Sequence, residues 1–415
     1  MFQISKQFAP PFGLIVPFFI AGTIFYLLSM AALLFYSPHF HHAQLQIAGW
    51  IHLFLVGYVM MIIFGAMAQL VPVVLETGHF SVEWYYVIFW MLLAGVSLLI
   101  VGFWSAPLML AFGGLLVLAA MVTFAVEVFL TIRRSELESL TAHAVKLSNA
   151  FLLAGIVTGF LMALAFGGFL GIEIERLFLA HVYSVVAGYI LVTIYGITLV
   201  LLPMFGLAHG FAEWPAKWAL RVVSASVVLI FLGSLFDVAI LRAVGYLGVF
   251  GSVALHFYQV WLIYRVRVRR ELDIWYASML YAYGALALAL LLGLLYLLGG
   301  ATYDPLLHGA FWFLLLFFAF LINGHLYKII PFLVWFHRYS HLVGKAKVPM
   351  LHEMYPKKAA WFEYGFSAIG GLLAGAGLLF GSDALFRGGA SFLLVGAIFL
   401  ALSVKWMLGF RSEHG

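Results

Sequence analysis

Twelve long apolar stretches divide this chain of 415 residues, and they leave it little choice of environment. Each reaches the length of about 20 residues that a helix needs to cross roughly 30 Å of hydrocarbon. Their expected limits are 12–35, 47–75, 84–104, 107–131, 148–171, 177–207, 216–236, 240–264, 275–299, 305–336, 360–380 and 386–409. The apolar runs are continuous rather than alternating, which favours helices over a barrel. Only 9% of the residues are charged, against roughly a quarter in a soluble domain. The expected fold is all-α: a polytopic membrane bundle of about twelve transmembrane helices, a single membrane domain over residues 1–415.

The first stretch is longer than a signal-peptide core and is followed by no clear small-residue cleavage site, so it reads as a span. The chain contains no cysteine, which removes disulfides, thiolate metal sites and cysteine nucleophiles from consideration. The charge follows a membrane rule. Of the 21 lysines and arginines, seventeen lie at the two ends of the chain or in connections after even-numbered spans. Three, Arg176, Arg242 and Arg387, lie on the opposite side, and Lys328 falls inside the tenth span. Positive residues gather on the cytoplasmic side, so both termini are expected there, in the cytoplasmic (inner) membrane of the cell. The basic run Arg265–Arg270 then serves as a topology anchor, and the net charge of +5 is no nucleic-acid signature.

The chain repeats itself. The second span reads HLFLVGYVMMIIFGAMAQLVP from His52 to Pro72, and the sixth reads HVYSVVAGYILVTIYGITLVLLP from His181 to Pro203. The tenth reads HGAFWFLLLFFAFLINGHLYKIIP from His308 to Pro331. Each has a glycine seven residues before its proline: Gly65, Gly196 and Gly324. The first two share a Gly-Tyr pair, Gly57–Tyr58 and Gly188–Tyr189, where the third has Leu316–Phe317. The recurrence every four spans predicts pseudo-threefold four-helix repeats, over about 1–135, 136–270 and 271–415. Spans 2, 6 and 10 then occupy equivalent inner positions.

His52, His181 and His308 stand 20, 22 and 23 residues before their prolines. At 1.5 Å per residue this spread is about 4.5 Å of depth. An ionisable side chain inside a membrane is costly and generally has a functional or pairing reason. Neutral imidazole is the commonest metal ligand, and two histidines on facing helices can ligate a haem iron axially. The competing reading is that these histidines bond across helices or cap helix starts at headgroup level. Which pair shares a ligand is not fixed by helix angles.

Twelve spans, internal termini, threefold repetition and histidines in the outer halves of spans 2, 6 and 10 resemble the catalytic subunit of the haem–copper oxidases, a superfamily that includes the nitric oxide reductases. The resemblance covers the whole chain in architecture and these three helices in motif. It implies that His52 and His308 ligate a low-spin haem, and that His181 ligates a second metal, copper or iron. The family's paired histidines in span 10 are reduced here to His308, followed by Gly309 and Ala310. Its adjacent pair in span 7 has no counterpart, since residues 216–236 contain no histidine. His256 in span 8 lies toward the cytoplasmic side. The resemblance therefore implies a divergent member with one haem, or a haem and a partial metal site. Such a protein would serve electron transfer, or the binding or reduction of oxygen or nitric oxide as an oxidoreductase. It would take electrons from a donor protein or quinol, with further membrane subunits as partners.

Other residues carry lesser expectations. His39, His41 and His42, in the loop before span 2, are closely spaced imidazoles of the kind that capture copper or zinc. His325 and Lys328, with Asn323, lie near the inner end of span 10, where Lys328 is expected to snorkel. Glu127 is expected to pair locally with Arg133 and Arg134. Glu173, Glu175 and Asp237 lie at outer ends, and His337, His341 and His352 in a solvated basic loop. No nucleotide-binding loop, nucleophile elbow or zinc-protease helix is present. Two other function classes remain open to the sequence. One is a cofactor-free transporter or permease, although such carriers commonly repeat in two halves; the other is a metal-handling assembly factor.

Overall fold

The computed structural model describes residues 10–40 and 44–411. Its architecture is all-helical; the strand-type pairing among the described residues is one isolated bridge, Ala208 with Arg267. Twelve helices are long and apolar enough to cross a membrane. They are α1 (Phe12–Phe35), α2 (Leu45–Leu75), α3 (Trp84–Trp104), α4 (Leu108–Ile132), α5 (Leu140–Phe166), α6 (Ile174–Gly206), α7 (Trp214–Leu235), α8 (Ala239–Arg265), α9 (Ile274–Leu298), α10 (Asp304–Arg338), α11 (Lys357–Phe380) and α12 (Asp383–Gly409). The chain is an integral membrane protein.

Eleven of the twelve fall within a few residues of the expected limits, and α5 does not. It begins at Leu140 rather than 148 and ends at Phe166 rather than 171. Ser139 caps it, its hydroxyl accepting from the Ala142 N–H at 3.1 Å, which satisfies one of the orphan donors of a helix start. The first two turns carry His143 and Lys146, so hydropathy alone hides them. At the other end Gly168 takes φ +80°, a conformation open to glycine and closed to most residues.

Two compact units emerge from the packing, one built on Ala66–Arg270 and the other on Pro11–Gly65 together with Glu271–Gly415. In the first, α3 packs along α4 and α7 along α8; in the second, α9 packs along α10 and α11 along α12. The three repeated glycines each accept a neighbour at close range. A Cβ on Gly65 would lie 2.7 Å from the Phe18 Cβ of α1, and one on Gly196 would lie 2.5 Å from the Ala144 Cβ of α5. One on Gly324 would lie 2.7 Å from the Ser278 Cβ of α9. Each repeat thus presses its first helix against its second at the same glycine.

The repeats also share, and then lose, a backbone irregularity. Within α2 the segment Leu53–Met60 is wound as a π-helix, and within α6 so is Ser184–Leu191. Both begin nineteen residues before the helix's proline and enclose the Gly-Tyr pair. There too glycine permits contact: a Cβ on Gly57 or Gly188 would meet Phe25 or Phe151 at 2.9 or 2.6 Å. The α10 helix lacks the Gly-Tyr pair and runs α-helically over 35 residues.

Candidate functional site

In the unit that contains α1, most of α2, and α9 to α12, His52 sits at the start of the π-segment. Its Nδ1 lies 2.7 Å from the Ala48 carbonyl. A carbonyl only accepts, so Nδ1 carries the proton and the lone pair is on Nε2. This is the tautomer a ligating histidine adopts, with its second nitrogen anchored on a main-chain oxygen. His308, four residues into α10, is partly buried, with its ring stacked on Phe40 at 4.7 Å.

Two indoles, Trp50 of α2 and Trp312 of α10, meet in the same unit. Trp50 donates to the Ser29 carbonyl and Trp312 to the Gly371 carbonyl, each at 2.9 Å. The rings stack with centroids 6.2 Å apart. Around them Tyr26, Met30, Phe54, Leu315, Leu316, Ala319 and Leu393 leave a cavity of about 10 Å³, room for roughly one water. The donor chemistry of the histidines fits an iron ligand, but no porphyrin-sized space lies between these indoles.

Deeper in the same unit a polar chain crosses the helices. Tyr58 donates to Asn323 Oδ1 at 2.5 Å, and Asn323 Nδ2 donates to Glu363 Oε1 at 2.9 Å. Ser367 donates to the same carboxyl oxygen at 3.4 Å. Glu363 and Asn323 are each 1% exposed. Glu363 lies near the start of α11, where no motif in the sequence singles it out. At the C-terminal part of α10, Lys328 binds Asp273 at 2.5 Å. Asp273 also caps α9 by accepting from the Tyr276 N–H. His325 anchors its Nδ1 on the Leu321 carbonyl at 2.7 Å.

The other unit holds His181. Its Nδ1 lies 2.8 Å from the Gly155 carbonyl of α5, which again places the lone pair on Nε2. Gly159 makes room for the ring, since a Cβ there would lie 2.6 Å from His181 Cε1. The comparison with α2 is instructive. Trp50 and His181 both stand 22 residues before their prolines, and both bond the equivalent carbonyl of the preceding helix, Ser29 or Gly155. The repeat therefore equates His181 with Trp50 rather than with His52. His52 lies two residues, or about 200° of helix, further on.

This unit also contains an unforeseen buried ion pair. Glu127 was expected to face Arg133 and Arg134, but Arg134 turns to the carbonyls of His79 and Phe80. Glu127 instead accepts from Thr131 at 2.8 Å, from Tyr85 at 3.1 Å and from the Phe80 N–H at 3.1 Å. His79 completes the set, with Nδ1 3.0 Å from Glu127 and Nε2 2.6 Å from the Ala68 carbonyl. Both ring nitrogens face acceptors and a neutral imidazole has one donor, so a proton is held between ring and carboxylate. Since His79 lies in a loop far along the chain from Glu127, no local pattern announces it. His256 is likewise buried, stacked on Tyr195 at 4.2 Å.

Of the acids in the connections, Glu173 pairs with Arg176, and Arg242 donates to Asp237 at 2.7 Å. That hydrogen bond and the guanidinium charge hold the Asp237 carboxyl below the usual range. His39 lies 3.9 Å from Asp383, while His41 and His42 lie outside the described residues. Among the described residues no three His, Asp or Glu side chains cluster as a metal site.

No family model matches this chain, and no curated protein does. Among solved structures, it is similar to a chain from a cryo-EM structure of a heme-copper terminal oxidase dimer. The two are 12% identical with a TM-score of 0.74, over 97% of this chain and 85% of that one. At this identity the likeness is one of fold: the chain has the fold of an oxidase-type membrane protein.

Proposed function

We propose that this protein is a haem-binding membrane protein of the oxidase type, with both termini in the cytoplasm. In this reading His52 and His308 are the iron ligands, and His181 is the ligand of a second metal, copper or iron. The observation that carries it is the shared tautomer of His52 and His181, each fixed by a main-chain carbonyl with Nε2 as the donor atom that iron or copper takes. A haem held there by two histidines would supply one-electron chemistry, and a second metal at His181 would supply the position for oxygen or nitric oxide. The chain's own part is to orient the imidazoles and to exclude water. Trp50 and Trp312 do the latter, being 7% and 5% exposed. The absent histidine pair of α7 favours electron transfer or gas binding over full oxygen reduction.

The test is optical. Purified protein should be coloured, with sharp α and β bands on reduction and haem recovered on extraction. The bands should be lost in His52→Ala, while His181→Ala should keep them and lose a second metal by elemental analysis. A folded, colourless protein would end this reading and turn attention to a transporter.

A further inference from the structure

Two glutamates are wholly buried in the described bundle, and they are held in opposite ways. Glu127 has His79 and three further donors. Glu363 has an amide and a hydroxyl, and among the described residues no lysine, arginine or histidine pairs with it. It stands six residues, about 9 Å, inside α11, yet the chain it joins reaches Tyr58 in the middle of α2. An ionised carboxylate in such surroundings loses its hydration without gaining a counter-charge, a cost that proteins avoid by protonation.

The titratable groups facing Glu363 do not change this. They are Tyr26 from α1, Tyr58 from α2, Tyr327 from α10 and Tyr364 from α11 itself. From α9 comes Tyr281, beside Tyr364 and bonded to the Ala368 carbonyl. All are phenols, so none brings positive charge. Along α10, His325 is bonded to the Leu321 carbonyl and Lys328 is committed to Asp273.

We propose that Glu363 is an intramembrane proton-binding site, at which a carboxylate and H⁺ combine to a neutral acid held by Asn323. Tyr58 acts as a positioning residue. Its O–H donates to Oδ1 of Asn323, so the amide must present Nδ2 to the carboxyl. Tyr26 packs on Tyr58 at 4.6 Å. The amide is thus fixed from α2 before it meets the carboxyl of α11. The site stands whether or not a haem is present.

Isotope-edited infrared spectroscopy on the full chain in lipid vesicles at neutral pH tests it. With carbon-13 at the glutamate carboxyls, the wild type should show a neutral-acid carbonyl stretch that moves with the label. That band should be absent from Glu363→Gln, unchanged in Glu127→Gln and shifted in Tyr58→Phe, where the amide loses its donor. If labelled glutamates appear only as carboxylates, or if the band survives Glu363→Gln, the proposal fails. Should Glu363→Gln accumulate poorly, Glu363→Asp serves instead: with unlabelled aspartate the label-sensitive band must vanish, and its persistence overturns the assignment.

Discussion

Removing His79 should be among the most damaging single changes in the protein, and a compensating change at Glu127 should repair much of it. Both side chains are 0% exposed, so no solvent screens the carboxylate once the imidazole is gone. His79→Ala leaves Glu127 with donors from Thr131, Tyr85 and Phe80 but no cation. Stranding one member of a buried ion pair costs about 3–5 kcal/mol. Glu127→Gln is gentler by construction. With the amide oxygen in the place of Oε1 it still accepts from Phe80, from Thr131 and from Nδ1–H of a neutral His79, and the loss is the His79 bond to the Ala68 carbonyl, about 1–3 kcal/mol. In the double variant no charge remains to be stranded. It should be more stable than His79→Ala by about 2 kcal/mol, so the two changes should be far from additive. Unfolding in mixed micelles by SDS titration, followed by tryptophan fluorescence, measures all four corners of the cycle. If the double variant is no more stable than His79→Ala, the destabilisation comes from lost packing and the buried-charge account is wrong.

The close glycine contacts predict that Gly196→Ala costs about 1–3 kcal/mol by overpacking against Ala144, measured by the same titration. Gly365→Ala, with nothing within 4 Å of its added carbon, should be neutral or better. Asp237 and Arg242 give a pH dependence of known sign. A carboxyl held below its ordinary value adds stability above the unfolded pKa, 3.8, and loses it as pH falls through the folded value. Asp237→Asn, which tolerates the same positive φ, should therefore lower the thermal midpoint at neutral pH and converge with wild type in acid. An unchanged difference across that range would contradict the assignment.

What the sequence disclosed divides along physical lines. Span number followed from apolar length, which lipid enforces residue by residue. The start of α5 was hidden because Ser139, His143 and Lys146 form a capped polar entry that hydropathy counts as loop. The repeat was legible in its prolines and glycines, yet matching histidine to histidine concealed that His181 occupies the slot of Trp50. That equivalence shows only when the shared carbonyl partners are seen. The pairing of Glu127 with His79 and the joining of Tyr58, Asn323 and Glu363 are tertiary, linking residues 48 and 40 or more positions apart. No local window contains them, and Glu363 near a helix start looks like an ordinary interfacial acid.

The π-segments of α2 and α6 leave a lasting asymmetry among the three repeats. Each such segment amounts to an added residue absorbed within the helix. Deleting one residue from 53–60 would let the strand of backbone tighten to ordinary α winding while both ends stay where they are. The same deletion in α10 has no slack to draw on and would swing every side chain on one side of it through about 100°. Helices α2 and α6 can therefore gain or shed a residue at little cost, whereas α10, the helix that carries His308, Asn323 and Lys328, is locked in length.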